Sequence, residues 1–148
     1  AVIGQNIAGD IDSVFVYGTL MPGAKNEHIA KQAGKHRAEK AYIEGVLLFD
    51  LMPEGYPGLV YKDSHSPLDE NPSGRVEGYV LHFDDITLAL TLLDEFEGCY
   101  LEPPDYYRET ITVQPSGDLA WVYVYADGER LTRSGAKLIS SGKWRKNL

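Results

Sequence analysis

The sequence predicts an α+β fold in which a small, curled mixed sheet or β-barrel of about six strands is flanked by a few helices. Two observations carry this prediction. Glycine and proline residues separate short segments that are rich in Val, Tyr, Ile, Thr and Trp, as in strands joined by turns. Several of these segments have apolar residues on both faces, which is typical of strands that are covered on both sides.

The length of the chain predicts a single domain. Its 148 residues match one domain of ordinary size, and no internal repeat or linker divides them. The hydrophobic content of 43% and the charged content of 24% are those of a chain that folds on its own. We therefore expect one domain over residues 1–148, with residues 1–12 as an N-terminal extension.

The first elements follow from residue pattern. Residues 14–17 (VFVY) form the first predicted strand. Residues 24–34 carry small and apolar residues at helical spacing, so they predict a short helix with Asn26 as a possible cap. Residues 41–49 alternate apolar positions around Gly45, as a curved strand with a glycine kink would.

The remaining strands are separated by polar or helical segments. Residues 59–61 form a short strand candidate, and the polar, Pro- and Ser-rich residues 63–74 predict a loop. Residues 75–83 (RVEGYVLHF), 106–114 (YYRETITVQ) and 119–125 (LAWVYVY) are the clearest strands, because β-branched and aromatic residues dominate them.

The strongest helix is predicted over residues 84–98 (DDITLALTLLDEFEG). At about 100° per residue, Ile86, Leu90 and Leu93 lie on one stripe, and Glu97 falls inside that stripe. A carboxyl group on an apolar stripe is either paired or has a raised pKa, and a raised pKa suits a group that takes up and returns a proton near neutral pH.

The neighbouring acids occupy other positions on the wheel. Glu95 projects opposite the stripe and Asp94 lies at its margin, so only Glu97 is predicted to point at the core. The alternative is that the helix ends near Glu95, which would leave Glu97 as a solvated residue before a Gly98 terminator.

Charge and cysteine content exclude several classes of partner and site. The formal net charge of −8 and the pI near 4.9 argue against nucleic acid or an anionic membrane and favour a small or neutral ligand. No apolar run approaches the roughly 20 residues that span a bilayer, so we expect a cytosolic protein. Cys99 is the one cysteine, which excludes an internal disulfide and a Cys-rich zinc site.

Other catalytic signatures are weak or missing in the sequence. Cys99 would be a nucleophile only with a base beside it, and the histidines at positions 28, 36, 65 and 82 form no Cys-His signature. They also form no HxH, HxxxH or HExxH pattern, so we expect no metal. Neither a phosphate-binding loop nor a G-x-S-x-G elbow occurs.

The turn that follows the first strand, Tyr17-Gly18-Thr19-Leu20, is a second candidate for the site. Glycine lets a backbone approach a ligand, and successive free N–H groups at the end of a strand bind a carboxylate or a developing oxyanion. The alternative is an ordinary turn between a strand and a helix.

Six short motifs occur along the chain in the order VFVYGTL, GYPGLV, VEGYV, LDEFEG, YYRETI and SGKW. In this order they resemble the γ-glutamylcyclotransferase-like superfamily, in particular its γ-glutamylamine cyclotransferase and AIG2-like branch. The resemblance extends from Val14 to Trp144.

The resemblance implies a small β-barrel with surrounding helices and assigns roles to individual residues. It implies that Glu97 is the catalytic acid/base. It also implies that the glutamyl group is bound by Tyr17, Gly18, Thr19, Leu20 and Tyr106. Tyr106 is chosen as the tyrosine of a Tyr-x-Arg motif with Arg108, although the adjacent Tyr107 leaves this assignment open.

The reaction implied by the resemblance is an internal transamidation that releases 5-oxoproline from a small γ-glutamyl compound without a cofactor. The leaving group, the oligomeric state and the role of Cys99 stay open at this point. Two alternatives also remain: a domain that binds a small ligand without catalysis, and a hydrolase that depends on Cys99.

Overall fold

The structure, a computed structural model, describes residues 11–51, 55–62, 74–127 and 136–144. These residues form eight strands and two helices, which confirms the predicted α+β class. The strands are β1 (Ser13–Val16), β2 (His36–Glu44), β3 (Val46–Leu51), β4 (Tyr56–Tyr61), β5 (Arg75–Phe83), β6 (Tyr106–Thr112), β7 (Leu119–Tyr125) and β8 (Ala136–Leu138). The helices are α1 (Glu27–Ala33) and α2 (Ile86–Phe96).

The larger sheet has five strands in the order β2-β5-β1-β7-β6. The central strand, β1, pairs antiparallel with β5 and parallel with β7, so the sheet is mixed. All four residues of β1 are buried. A central strand that is covered on both faces needs apolar residues on both faces, and this requirement explains the unbroken run Val14-Phe15-Val16.

The smaller sheet contains β4, β3 and β8, and its position corrects one prediction. Residues 41–49 do not form a single curved strand: β2 ends at Glu44, β3 begins at Val46, and the two strands belong to different sheets. Gly45 lies between them with φ of 79°, in the left-handed region that glycine enters at little cost. The glycine therefore divides the strand instead of bending it.

The larger sheet curls strongly. Tyr42 on the edge strand β2 and Gln114, just beyond the other edge strand β6, exchange backbone hydrogen bonds of 3.0 and 2.8 Å. This contact is one residue pair and not a strand ladder. The predicted barrel of about six strands is therefore not confirmed; the described residues form eight strands in two sheets, because the chain leaves the larger sheet at Gly45.

The two helices contact each other and bury apolar residues in the core, and their N-terminal caps differ. Asp85 caps α2 by accepting a hydrogen bond of 3.1 Å from the Leu88 N–H, and Ala89 and Leu93 of this helix are buried. Asn26 lies at the N-cap position of α1, but its side chain makes no capping hydrogen bond and donates instead to Thr19 Oγ1 at 3.1 Å. This hydrogen bond connects α1 to the turn that follows β1.

Some predictions lie outside the described residues. They concern residues 1–10 of the proposed N-terminal extension and residues 63–73 of the proposed loop. The predicted bounds of β5 and β7 agree with the structure. Neither described helix combines the length and the apolar content that crossing a bilayer would need.

We predict that Gly78→Ala strongly destabilises the fold. A Cβ at this position of β5 would overlap the backbone oxygen of Val16 in the central strand β1. Since that oxygen moves only with its strand, the substitution should lower the free energy of unfolding by about 3 kcal/mol. Urea unfolding followed by circular dichroism measures this change.

Gly117→Ala is the matched control for this substitution. Gly117 has φ of 83°, but a Cβ added there would meet no atom within 4 Å, so only backbone strain is added. This variant should lose about 1 kcal/mol. Equal losses in the two variants would contradict the close packing of β5 on β1.

Candidate active site

A cavity of about 350 Å³ lies where β1, β4, β6, β7 and the end of α2 meet. Its wall contains each residue for which the sequence predicts a role in the site: Glu97, Tyr17, Gly18, Thr19, Leu20 and Tyr106. These residues are up to 89 positions apart in the chain (106 − 17), and the fold brings them to one cavity.

Glu97 reaches the cavity from the end of α2. The helix ends at Phe96 and Glu97 is its C-cap residue, whose N–H still donates to the Leu93 oxygen at 2.9 Å. The helical spacing therefore continues through Glu97. Its side chain is half-buried because it faces the cavity, and protein atoms surround it on the other sides.

The surroundings of Glu97 favour its protonated form. Burial raises its pKa from 4.5 to about 8, and the neighbouring carboxylates of Asp105 and Asp94 contribute in the same direction. A carboxyl group with this pKa exchanges its proton near neutral pH. It has the property required of a general acid/base.

The turn after β1 supplies unused backbone donors to the cavity wall. The oxygen of Gly18 accepts from the Met21 N–H at 3.1 Å, and the oxygen of Thr19 accepts from the Asn26 N–H at 2.7 Å. The N–H groups of Gly18, Thr19 and Leu20 have no hydrogen bond to any other described residue. Three successive residues therefore offer donors without competing acceptors in the described chain.

The structure gives a packing reason for glycine at position 18. A Cβ at this position would overlap the ring of Pro57 on β4, so the absence of a side chain permits the turn to pack on the smaller sheet. The main effect of this glycine is to bring β4 against the cavity.

Two buried tyrosines connect the walls of the cavity. The Tyr17 hydroxyl donates to the Tyr123 carbonyl at 2.6 Å, and the Tyr106 hydroxyl donates to the Pro57 carbonyl. Burial raises the pKa of both hydroxyls well above the usual value, so they are neutral donors. The adjacent Tyr107 is 51% exposed, whereas Tyr106 is 7% exposed and faces the cavity.

Asp94 lies deeper in the protein than its position on the helical wheel predicts. The expectation that only Glu97 points at the core is wrong, because Asp94 is 6% exposed and its Oδ1 accepts from Arg108 Nε at 2.8 Å and from the Tyr123 hydroxyl at 2.7 Å. The buried stripe of a helix is about 100° wide or more, so a residue at its margin is covered when the helix packs on a sheet. The angle on the wheel does not give the width of the covered surface, so the sequence alone carries no signal that identifies Asp94 as buried.

Asp105 is a second acid that sequence reasoning missed. It lines the cavity beside Glu97, and its backbone N–H donates to the Gly98 oxygen at 3.1 Å. Its side chain lies so close to Gly98 that a Cβ there would be 2.7 Å from Asp105 Oδ2. Asp105 precedes β6 in a segment without a recognisable motif, so only the folded chain reveals this contact.

Among the residues that the structure describes, the other reactive side chains form no competing site. Burial, followed by the charges of Asp94 and Glu97, raises the pKa of the Cys99 thiol to about 12, so the nucleophilic thiolate is scarce at neutral pH. Cys99 and the three histidines that the structure describes are not part of the cavity wall. In the described part of the chain, no three His, Cys, Asp or Glu side chains are grouped to hold a metal ion.

We predict that Tyr106→Phe lowers the free energy of unfolding by about 1 to 2 kcal/mol, because the buried Pro57 carbonyl loses its donor. Tyr107→Phe is the matched control, since it removes the same hydroxyl from an exposed ring. The control should stay within about 0.5 kcal/mol of the wild type. Chemical unfolding of both variants measures the difference, and a larger loss in the control would contradict the placement of Tyr106.

We also predict that Glu97→Gln changes stability in a pH-dependent way. In the unfolded chain this carboxyl ionises near pH 4.5, whereas in the folded protein it keeps its proton up to about pH 8. Between these values the unfolded state binds fewer protons, so the free energy of unfolding falls as the pH rises. Relative to wild type, the variant should gain on the order of 1–3 kcal/mol between pH 5 and pH 9.

Urea titrations of both proteins at pH 5, 7 and 9 measure this gain. Glu95→Gln is the control, because it removes an exposed carboxyl group from the same helix and should change the free energy of unfolding by no more than about 0.5 kcal/mol. A constant difference between wild type and Glu97→Gln across this range would show that Glu97 titrates normally.

Comparison with known proteins places the chain in a family. The sequence profile described as "Gamma-glutamyl cyclotransferase, AIG2-like" matches residues 14–146. No curated protein matches the chain by sequence.

Solved structures show the same fold at low sequence identity. An AIG2-like protein from Mus musculus is 24% identical with a TM-score of 0.62, covering 93% of this chain and 99% of the mouse chain. An uncharacterized protein from Pyrococcus horikoshii is 19% identical with a TM-score of 0.62, covering 89% and 88% of the two chains.

YkqA from Bacillus subtilis is 26% identical with a TM-score of 0.59, and the match covers 90% of this chain but only 39% of YkqA. The profile match spans nearly the whole sequence and includes both the turn after β1 and the end of α2. The chain therefore belongs to the AIG2-like γ-glutamyl cyclotransferase family.

Proposed function

We propose that the protein is a γ-glutamyl cyclotransferase that converts a γ-glutamyl compound into 5-oxoproline and a free amine or amino acid. One observation carries the proposal: Glu97, a carboxyl group with a raised pKa, shares a cavity with the backbone N–H groups of residues 18–20, which have no acceptor among the described residues. The family membership of the chain supports the same class of reaction.

The polarity of the cavity fits the head of a γ-glutamyl substrate. The turn at residues 18–20 offers N–H donors for a carboxylate, and the carboxyl groups of Glu97 and Asp105 favour an ammonium group. A free α-amino acid head carries both charges next to each other. The volume of about 350 Å³ lies in the range of small-molecule sites.

In the proposed reaction, the substrate's α-nitrogen attacks its own γ-carbonyl carbon. The new N–C bond closes a five-membered ring, and the C–N bond to the leaving amine breaks. Ring closure removes two protons from the α-ammonium, and the leaving amine carries both away as an ammonium ion. Since nucleophile and electrophile belong to one molecule, no cofactor or second substrate is needed.

Glu97 is the proposed proton shuttle for this sequence. Its ionised form takes a proton from the α-nitrogen, and its protonated form gives a proton to the leaving nitrogen. A pKa of about 8 keeps both forms populated near neutral pH. The N–H groups of residues 18–20 would bind the α-carboxylate or the oxyanion that develops on the γ-carbonyl oxygen.

Glu97→Gln should lower kcat for 5-oxoproline release at least about 100-fold, because loss of a general acid/base typically has this effect. The assay follows 5-oxoproline over a panel of γ-glutamyl amines, γ-glutamyl-ε-lysine and γ-glutamyl dipeptides, and the panel also identifies the leaving group. Full turnover by Glu97→Gln on a substrate that the wild type accepts would overturn the assignment.

Two control variants test whether the loss of turnover is specific to the Glu97 carboxyl group. Glu95→Gln removes an exposed carboxylate two residues away and should retain wild-type turnover. Cys99→Ser should also be nearly neutral, whereas a thiol-dependent hydrolase would be inactivated by this change and by iodoacetamide. Binding of γ-glutamyl compounds by the wild type without any turnover would favour a non-catalytic binding domain.

A further inference from the structure

Asp94 is the most completely buried acidic residue of the described chain, and the proposed reaction does not use it directly. Its Oδ1 accepts two hydrogen bonds, from Arg108 Nε at 2.8 Å and from the Tyr123 hydroxyl at 2.7 Å. Such a carboxylate would be very unfavourable in the core without these partners. The three residues, called the Asp94 clamp below, therefore form one unit.

The two donors of the Asp94 clamp are held in place by the sheet. Arg108 on β6 and Tyr123 on β7 are directly opposite each other in the antiparallel register. The Arg108 guanidinium also lies over the Trp121 ring, 4.3 Å from its centroid, and the Tyr123 carbonyl accepts from the Tyr17 hydroxyl. The sheet thus holds both donors independently of the helix, so they determine where Asp94 sits.

Asp94 connects this fixed point to the catalytic candidate. It precedes Glu97 by three residues, and residues three apart are neighbours on a helix surface. The backbone of the same turn is tied by the hydrogen bonds from Glu97 N–H to Leu93 oxygen at 2.9 Å and from Cys99 N–H to Asp94 oxygen at 3.0 Å. Anchoring Asp94 therefore limits the movement of Glu97.

We propose that Asp94 is a positioning residue: through Arg108 and Tyr123 it fixes the last turn of α2 on the sheet and keeps Glu97 in the cavity beside a buried negative charge. The inference rests on the proposed function for its catalytic consequence. The effect of Asp94 on the position and the pKa of Glu97 does not depend on whether the protein turns over a substrate.

Other titratable groups lie around Glu97 on the elements that form the cavity. Those on the cavity wall are Tyr17, Lys25, Tyr56, Asp105, Tyr106 and Tyr123. Cys99 interacts electrostatically with Glu97 from outside the wall, and Arg108 is the ion-pair partner of Asp94. Burial and Asp105 affect Glu97 more strongly than Asp94 does. Removal of the Asp94 charge should therefore lower the pKa of Glu97, but it should reverse only part of the rise above the usual value.

Asp94→Asn removes the negative charge and leaves the shape of the side chain nearly unchanged. The amide oxygen still accepts hydrogen bonds from Arg108 and Tyr123, but the negative charge is gone and the Arg108 charge is no longer balanced. Ionised Glu97 is then favoured, so the acidic limb of the kcat/KM profile should move about one pH unit lower. The plateau rate should fall, because a weaker base accepts the proton less readily.

Arg108→Gln should move the limb in the opposite direction. It removes the cation and leaves the Asp94 charge unbalanced beside Glu97, which disfavours ionisation of Glu97. Tyr123→Phe removes one donor and keeps both charges, so the limb should stay in place while kcat falls. Opposite shifts in two variants of one ion pair are not produced by loss of structure alone.

Asp85→Asn is the matched control. It removes the same charge from the same helix at the N-cap, roughly 18 Å from Glu97 at about 1.5 Å per residue, and asparagine caps a helix as well as aspartate does. This variant should keep the wild-type kcat and the wild-type position of the acidic limb of the kcat/KM profile. A limb that stays in place in both Asp94→Asn and Arg108→Gln would overturn the proposal and leave Asp94 with a purely structural role.

A direct titration tests the inference without turnover. Carbon-13 NMR of protein labelled at the Glu carboxyl carbons, with Glu97→Gln to assign the signal, measures the pH at which Glu97 titrates. The value should fall in Asp94→Asn and rise in Arg108→Gln. If no γ-glutamyl compound is turned over, the proposed function fails, but this measurement still supports or overturns the control of Glu97 by Asp94.

Discussion

Burial of the carboxyl group of Glu97 is the constraint on which the rest of the site depends. Burial opposes ionisation, so the fold holds this group largely in its neutral form up to about pH 8. The position is sustained by the packing of Leu93 and Ala89 in the core and by the ion pair of Asp94 with Arg108. The free energy gained from these contacts offsets the cost of burying a carboxyl group that does not itself stabilise the fold.

The sequence predicts this arrangement where local periodicity dominates. The 3.6-residue repeat of α2 extends through its C-cap, so a wheel drawn from Ile86 finds Glu97 on the correct side. The same wheel fails for Asp94, because it assigns an angle to a residue but not the width of the surface that covers it. That width is set by β6 and β7, whose residues Arg108 and Tyr123 lie 14 and 29 positions from Asp94 in sequence.

Features that depend on contacts between distant segments could not be predicted. The sequence marks Gly45 as an irregular position, but nothing local distinguishes a glycine that bends a strand from one that passes the chain to a second sheet. Gly18 is likewise marked by the sequence, whereas its physical reason, the ring of Pro57, depends on the arrival of β4. The local sequence therefore predicts which residues form a strand, but not which sheet that strand joins.

In the cavity wall, several backbone carbonyls are engaged in hydrogen bonds, whereas the N–H groups of the turn after β1 have no acceptor among the described residues. This difference determines which ligand groups the cavity favours. Four wall or turn carbonyls, those of Gly18, Thr19, Pro57 and Tyr123, already accept from protein donors. The N–H groups of residues 18–20 have no acceptor among the described residues. A ligand therefore gains most by bringing acceptors to the turn, because donors placed there would find the carbonyls already engaged. An amino-acid carboxylate held at this turn would orient the rest of the ligand toward Glu97.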